Sequence, residues 1–210
     1  MPDLLRNLIV EGLKQATKSS LYIVRHGTTQ FNESDDERIR AWLNISLDDN
    51  GIRKAKEAVR FLKDKNISRL CSSDLERCHQ TAKIIAEELD LPIHLDPSLR
   101  PWDVGQLTGT PIKDAIPVMM KYVDEPKSTI PGGESYGDFY SRWKNSLEKY
   151  IARAAITGDT ICLVTHSRNI YCMDNILSNG KSPIIFDGKP EPGGILRVDI
   201  SSETNIKEVL

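Results

Sequence analysis

The chain alternates short apolar runs with longer segments in which apolar residues recur every three or four positions. The short runs are bounded by polar residues and predict β-strands at residues 21–24, 70–71, 92–95, 160–165 and 195–200. The longer segments predict helices at residues 51–64, 135–153 and 168–177, and from the N-capping residues 72–74 to about residue 89. Strands that alternate with helices favour a mainly parallel sheet covered on both faces, a three-layer α/β/α sandwich.

Two segments depart from this alternation. Residues 4, 5, 8, 9 and 13 repeat at helical spacing, so residues 1–19 are predicted as an amphipathic helical extension ahead of a main domain at residues 20–210. The favoured interpretation packs this helix on the domain surface, and a homodimer or partner contact is the alternative. Residues 96–133 are rich in proline and glycine and are predicted mainly as loops, which often carry function in a compact domain.

Composition narrows the class of protein. Among 210 residues, 28 Lys and Arg face 30 Asp and Glu, so no overall cationic field exists to attract nucleic acid or a membrane surface. The four cysteines form no CxxC pair, which indicates reduced thiols. No uncharged apolar segment approaches the ~18 residues of a transmembrane helix, and charged residues interrupt any signal-like run near the start. A cytoplasmic location is therefore expected.

Histidines follow two of the predicted strands. The segment YIVRHG at 22–27 and the segment CLVTHS at 162–167 each end a buried strand with a polar residue, a histidine and a small residue. Adjacent parallel strands bring their carboxyl ends to one ligand crevice, so His26 and His166 are candidates for one site. A third strand is followed by SSDLER, which places Arg77 near a helix start. Together with Arg25 and the helix N-terminus, this arginine predicts a phosphate site and a small phosphorylated ligand.

The segment RHGTTQFN at 25–32 resembles the RHGxTxxN signature of the histidine phosphatase superfamily, the phosphoglycerate mutase-like family. Residues 47–55, 72–82, 131–135 and 164–166 resemble further motifs of this family, in the family's order. The resemblance extends over about residues 20–200. It implies a phosphoglycerate mutase-like α/β/α fold.

The resemblance also implies roles for the residues at the strand ends. His26 would attack phosphorus and become a phosphohistidine, which water then hydrolyses. Arg25, Arg77 and His166 would hold the phosphoryl oxygens, stabilise the transition state and favour the neutral form of His26.

Thr29 and Asn32 would add neutral hydrogen-bond donors to the phosphate site. With this much fixed positive charge no divalent metal is required, and no metal-ligand spacing is visible in the sequence. Neither a metal nor another cofactor is therefore expected.

The sequence departs from the family pattern where a glutamate commonly protonates the leaving group. Pro101 takes the place of that glutamate. Asp103 is the substitute acid, and Glu134 is the alternative, which otherwise serves as a structural or phosphate-site ligand. Arg168 stands where the family commonly has a glycine, and is interpreted as a surface arginine with a substrate contact as the alternative.

These observations predict a metal-independent phosphatase that hydrolyses small phosphomonoesters through a phosphohistidine. Phosphoglycerate mutase-type phosphoryl transfer is the enzymatic alternative, and a phosphate-binding pseudoenzyme without turnover is the alternative of another class. The substrate stays open. Residues that could line its pocket, or equally belong to the core, are Arg38, Arg40, Trp42, Trp102, Met119, Met120 and Tyr122.

Overall fold

The computed structural model describes residues 19–32, 37–178, 180 and 190–200, and the backbone of residues 205–208. Of the predicted helical extension at 1–19, residues 1–18 lie outside the described residues, and Ser19 is the first residue of a strand.

The described residues form a six-stranded sheet with the strand order β3-β2-β4-β1-β5-β6. The strands are β1 Ser19–Arg25, β2 Arg69–Ser72, β3 Ile93–Leu95, β4 Ile161–Thr165, β5 Ile195–Ile200 and β6 Asn205–Glu208. The pairs among β1 to β4 are parallel, whereas β5 and β6 run antiparallel. The mainly parallel sheet is therefore confirmed, and β6 is a strand that the apolar pattern does not predict.

Six α-helices pack around this sheet within the described residues. They are α1 Asp49–Leu62, α2 Glu76–Leu89, α3 Ile112–Asp124, α4 Tyr136–Thr157, α5 Ser167–Tyr171 and α6 Met173–Leu177. Short 3₁₀ turns lie at Gln30–Asn32, Pro97–Leu99 and Gly105–Leu107.

Three helix predictions need correction. The loop prediction for residues 96–133 misses α3, whose interior Pro117 disguises the helical spacing. The helix predicted at 168–177 is divided at Cys172 into α5 and α6. Finally, α2 has Leu75 as its N-cap without a side-chain hydrogen bond, and the amide of Glu76 donates instead to Asn44 Oδ1 at 2.8 Å.

Side chains of β1 point alternately to two apolar clusters on opposite faces of the sheet. Leu21 and Ile23 pack in the cluster that contains buried residues of α4, whereas Tyr22 and Val24 pack in the cluster that contains buried residues of α1 and α2. This alternation is what a sheet covered on both faces requires. The predicted three-layer sandwich is confirmed.

The register of the sheet brings the predicted site residues to one edge of the sheet. Arg25 at the end of β1 pairs with Thr165 at the end of β4, so His26 and His166 are the next residues of two adjacent strands. On the other side of β4, Ser72 of β2 pairs with Val164, which brings the start of α2 to the same edge. A Cβ on Gly27 would lie 2.3 Å from the carbonyl oxygen of Gly51, so this turn packs against α1 backbone to backbone.

The described cysteines, Cys71, Cys78, Cys162 and Cys172, are buried and unpaired with one another. Among the helices of the described chain, none combines the length and the apolar character needed to cross a bilayer.

Candidate active site

A cavity of about 900 Å³ lies at the carboxyl edge of the parallel strands. Its lining includes Arg25, His26, Asn32, Arg77 and His166, so five of the residues predicted from sequence meet in one place. Both histidines are almost fully buried, with 2 % of each exposed.

Hydrogen bonds determine which nitrogen of His26 carries its proton. Nδ1 lies 2.7 Å from the carbonyl oxygen of Gly27, and a carbonyl can only accept, so Nδ1 donates. Arg77 Nε donates to Nε2 across 3.3 Å. Nε2 therefore holds the lone pair of a neutral imidazole, and it is the atom able to attack an electrophile.

His166 is held by the same arginine through its other nitrogen. Arg77 Nη2 lies 3.2 Å from Nδ1, and Nε2 lies 2.9 Å from the hydroxyl oxygen of Ser73. Because a guanidinium only donates, Nδ1 accepts and the proton of the neutral ring lies on Nε2, which donates to Ser73. The two imidazole rings are 5.2 Å apart between centroids.

Arg77 is a buried cation with 1 % of its surface exposed. Besides the histidines it donates to the carbonyl oxygens of Ala41 and Leu43, both at 2.8 Å. Burial lowers the pKa of Arg77 to about 10, so the group stays charged at neutral pH. In the described part of the chain no carboxylate pairs with it. A buried charge without a counter-ion favours binding of an anion from solution.

Two further arginines add to this positive charge. Arg25 Nη1 donates to the carbonyl oxygen of Pro190 at 3.0 Å, while its buried Nε has no hydrogen-bond partner among the described residues. Arg40 is buried beside the cavity, and burial together with the charge of Arg25 lowers its pKa. An unsatisfied buried donor and three converging guanidiniums suit a phosphoryl group with its several acceptor oxygens.

Burial and these charges keep both imidazoles neutral. Desolvation, followed by the charges of Arg77, Arg40 and Arg25, lowers the pKa of His26 well below its ordinary value. Desolvation and Arg77 do the same to the pKa of His166. The neighbouring thiol of Cys78 stays protonated, because burial raises its pKa to about 12.

The other predicted site residues lie outside the cavity lining. Thr29 is fully buried, and its amide donates to Asn32 Oδ1 at 3.0 Å, so it orients Asn32. Asp103 Oδ1 accepts from the amide of Gly105 at 3.2 Å and does not line the cavity. Glu134 Oε1 accepts from the amide of Asp103 at 3.0 Å and from Arg142 at 2.6 Å. This carboxylate therefore ties α4 to the backbone at Asp103.

The cavity also contains residues that the sequence did not single out as site residues. Within the described residues its carboxylates are Glu37 and Glu191. Glu37 ends the acidic run ESDDE, which resembles an ordinary solvated loop in the sequence. Arg168, interpreted as a surface residue, lines the cavity instead, and burial lowers its pKa to about 10.

Of the residues that the sequence analysis considers for the substrate pocket, five line the cavity and two do not. Trp42 and Tyr122 are absent from the cavity lining, and the Arg100 guanidinium stacks over the Trp42 ring at 4.6 Å. The others line the cavity: Arg38, Arg40, Trp102, Met119 and Met120.

No group of three or more His, Cys, Asp or Glu side chains gathers as a metal site would require, among the residues that the structure describes.

Comparison with known proteins identifies the family. The model of the histidine phosphatase superfamily (branch 1) matches residues 21–206. The chain belongs to this superfamily. It is 32 % identical over 158 residues to proteins named probable phosphoglycerate mutase GpmB in Yersinia pestis and Yersinia pseudotuberculosis, across 73 % of this chain and 72 % of theirs.

Solved structures agree on the fold. A mycobacterial glucosyl-3-phosphoglycerate phosphatase superposes with a TM-score of 0.72 at 21 % identity, across 92 % of this chain and 98 % of that one. A phosphoglycerate mutase from Bacillus anthracis gives a TM-score of 0.76 at 22 % identity, across 95 % of each chain. The phosphoglycerate mutase-like fold predicted from sequence is confirmed, and the superfamily includes both hydrolases and mutases.

The lowered histidine pKa values predict how stability depends on pH. Below about pH 6.5 the unfolded chain takes up protons on both histidines while the folded protein does not, so folding becomes less favourable as pH falls. Each histidine then removes about 1 kcal/mol from the free energy of unfolding per pH unit, until its folded pKa is reached. Urea unfolding at about pH 7, 6 and 5 measures this slope.

The slope should become shallower in His26→Gln and in His166→Gln, because glutamine does not titrate. Comparing each variant with the wild-type protein cancels the carboxylates that titrate in the same range. Equal slopes in all three proteins would show that the two imidazoles are protonated normally in the folded state.

Proposed function

We propose that this protein is a metal-independent phosphatase that hydrolyses small phosphomonoesters through a phosphohistidine on His26. The observation that carries the proposal is the position of Arg77 between the two histidines, donating to Nε2 of His26 and to Nδ1 of His166. The lone pair of the nucleophile and a buried cation therefore meet at one point of the cavity lining. A phosphoryl group that replaces the hydrogen bond between Arg77 Nε and His26 Nε2 contacts both groups.

The reaction proceeds in two displacements at phosphorus. Nε2 of His26 forms a bond to phosphorus as the bond to the ester oxygen breaks, and the guanidiniums of Arg25, Arg77 and Arg40 neutralise charge on the phosphoryl oxygens. Water then attacks phosphorus, the P–N bond breaks and neutral His26 is restored. The hydrogen bond from Nδ1 to Gly27 stabilises the ring while it carries the phosphoryl group.

The leaving oxygen needs a proton, and we assign this role to Glu37 rather than to Asp103 or Glu134. Glu37 lines the cavity, whereas Asp103 and Glu134 do not. Of the two carboxylates in the lining, Glu37 and Glu191, Glu37 is the one that hydrogen-bonds to Asn32 and Arg40. Asn32 Nδ2 and Arg40 Nη2 both donate to Oε1 of Glu37, each at 3.3 Å, so a proton on this carboxyl group belongs on Oε2. Glu37 gives that proton to the leaving group and takes one from the attacking water.

The mutase alternative differs in what accepts the phosphoryl group. Phosphoglycerate carries a carboxylate, and a mutase must hold it while excluding water. The segment 109–131 supplies to the cavity only the apolar side chains of Ile112, Ile116, Met119 and Met120, so it offers the carboxylate no side-chain hydrogen-bond donor, and this disfavours the mutase. Release of inorganic phosphate supports the phosphatase, interconversion of 2- and 3-phosphoglycerate supports the mutase, and a phosphohistidine that persists supports the pseudoenzyme.

The phosphohistidine is testable by trapping. After mixing with nitrophenyl phosphate and quenching in alkali, peptide mapping should find the phosphoryl group on His26, and His26→Gln should abolish turnover while the protein stays folded. His94→Gln is the matched control, because His94 is exposed on β3 and does not line the cavity. Turnover should be unchanged in EDTA. Label on another residue, or activity that EDTA removes and added metal restores, contradicts the proposal.

The assignment of Glu37 is testable by varying the leaving group. Glu37→Gln keeps an oxygen that accepts from Asn32 and Arg40 but has no proton to give, so kcat/KM for an alkyl phosphate should fall by about 10²-fold. Nitrophenyl phosphate should be affected far less, since nitrophenolate leaves without a proton.

Asp103→Asn and Glu134→Gln serve as the controls in this experiment and should show no dependence on the leaving group. If the leaving-group-dependent loss appears in one of them and not in Glu37→Gln, the acid is that residue.

A further inference from the structure

We infer that the natural substrate is the phosphate ester of an apolar alcohol, held by an apolar wall of the cavity that residues 101–120 form. This inference rests on the proposed function and names the substrate class for the same site. Its starting point is the lining contributed by residues 101–120. Every residue of that stretch that reaches the cavity is apolar, although the stretch as a whole contains several charges.

Helix α3 forms one half of this wall. Ile112, Ile116, Met119 and Met120 line the cavity at spacings of four, three and one, which is a single face of a helix. The charged residues of the helix are exposed and do not line the cavity, and these are Lys113, Asp114, Lys121 and Asp124. Four apolar side chains of the helix therefore line the ligand space, whereas its charged side chains face solvent.

The segment before α3 forms the rigid floor of the wall. Trp102 is 1 % exposed, packs edge-on against Tyr136 and stacks with Phe139. Its indole Nε1 donates to the carbonyl oxygen of Glu134 at 3.0 Å, away from the ligand space. Pro101 and Val104 complete the floor. These groups offer no hydrogen bond to a hydroxyl-rich leaving group such as a sugar or a glycerate.

The wall is tied directly to the residues around the reaction centre. The amide of Ile112 donates to the carbonyl oxygen of Glu37 at 2.8 Å, and the amide of Ile39 donates to that of Thr110 at 2.9 Å. The wall thus begins at the chain segment that carries Glu37 and Arg40. A group attached to a phosphoryl oxygen beside His26 therefore has the wall as a neighbouring surface within one cavity.

The remaining cations of the cavity are engaged by protein groups. Arg38 Nη1 donates to the carbonyl oxygen of Gly109 at 2.9 Å, Lys54 Nζ lies 3.5 Å from a Glu57 oxygen, and the Arg168 guanidinium lies 5.8 Å from the centre of the Tyr171 ring. A second anionic group on the substrate, held by these cations, is the competing alternative. The two alternatives are separated by the experiment below.

Alkylphosphonates test the wall without depending on turnover, because their P–C bond is not hydrolysed. Calorimetric binding of ethyl-, butyl- and hexylphosphonate should show Kd falling with chain length, by up to about fourfold for each methylene that the wall buries. The phosphonate head is the same in all three compounds, so the change of Kd with chain length measures how the cavity binds the alkyl chain.

Met120→Gln should flatten this slope, because it weakens the binding of hexylphosphonate more than that of ethylphosphonate. Val118→Gln is the matched control, because Val118 lies on the same helix with the same exposed fraction, 36 %, but does not line the cavity. It should keep the wild-type slope.

A Kd that does not change with chain length, an equal effect of both substitutions, or tighter binding of 3-phosphoglycerate than of hexylphosphonate would overturn the inference. The proposed function is judged separately, by release of phosphate from hexyl phosphate. Chain-length-dependent binding without phosphate release would overturn the phosphatase and leave the apolar site intact, whereas hydrolysis with a flat binding series would do the reverse.

Discussion

The contacts of one buried guanidinium organise the site. Arg77 touches both imidazoles, receives support from the carbonyls of Ala41 and Leu43, and has no carboxylate partner in the described chain. Its donors hydrogen-bond to the lone pairs on Nε2 of His26 and Nδ1 of His166, and its charge adds to burial in opposing protonation of either ring. A cation buried in this way is costly until an anion arrives, so the site is prepared for a phosphoryl group before it binds.

The fold supplies the positions that this arrangement needs. Parallel pairing of β1 with β4 sets His26 beside His166, and pairing of β2 with β4 delivers the start of α2, which carries Arg77, to the same edge. The backbone contact between Gly27 and Gly51 leaves no room for a side chain at the turn that follows His26. Arg25 and Arg77 thus come from the sheet edge, whereas the apolar lining at residues 101–120 comes from α3 and the segment before it. In the proposed function and the inferred substrate class, the first group carries the chemistry and the second selects the substrate.

Much of this was predictable because its signals are local. Two apolar strands are each followed by a histidine, and an arginine stands at the second position of a helix. These local patterns mark the edge of the sheet in the sequence alone. The apolar pattern does not predict α3, because Pro117 lies inside the helix and proline normally indicates its end. The helix forms nevertheless, with Ala115 and Met119 buried. Asp103 was favoured because it lies near the usual position of an acid in sequence, but its carboxylate accepts from Gly105 instead. The sequence does not distinguish Glu37 from the other acidic residues of ESDDE, whereas the structure places it in the cavity lining.

The central claim is that burial and the charge of Arg77 keep His26 neutral, with the lone pair of the ring on Nε2. ¹⁵N NMR of the histidine side chains in the ligand-free protein at about pH 7 measures this directly, because the shifts of the two ring nitrogens distinguish the tautomers from each other and from the imidazolium form. The account predicts a protonated Nδ1 and an unprotonated Nε2 on His26. A protonated Nε2, whether in the other tautomer or in an imidazolium ion, would contradict it.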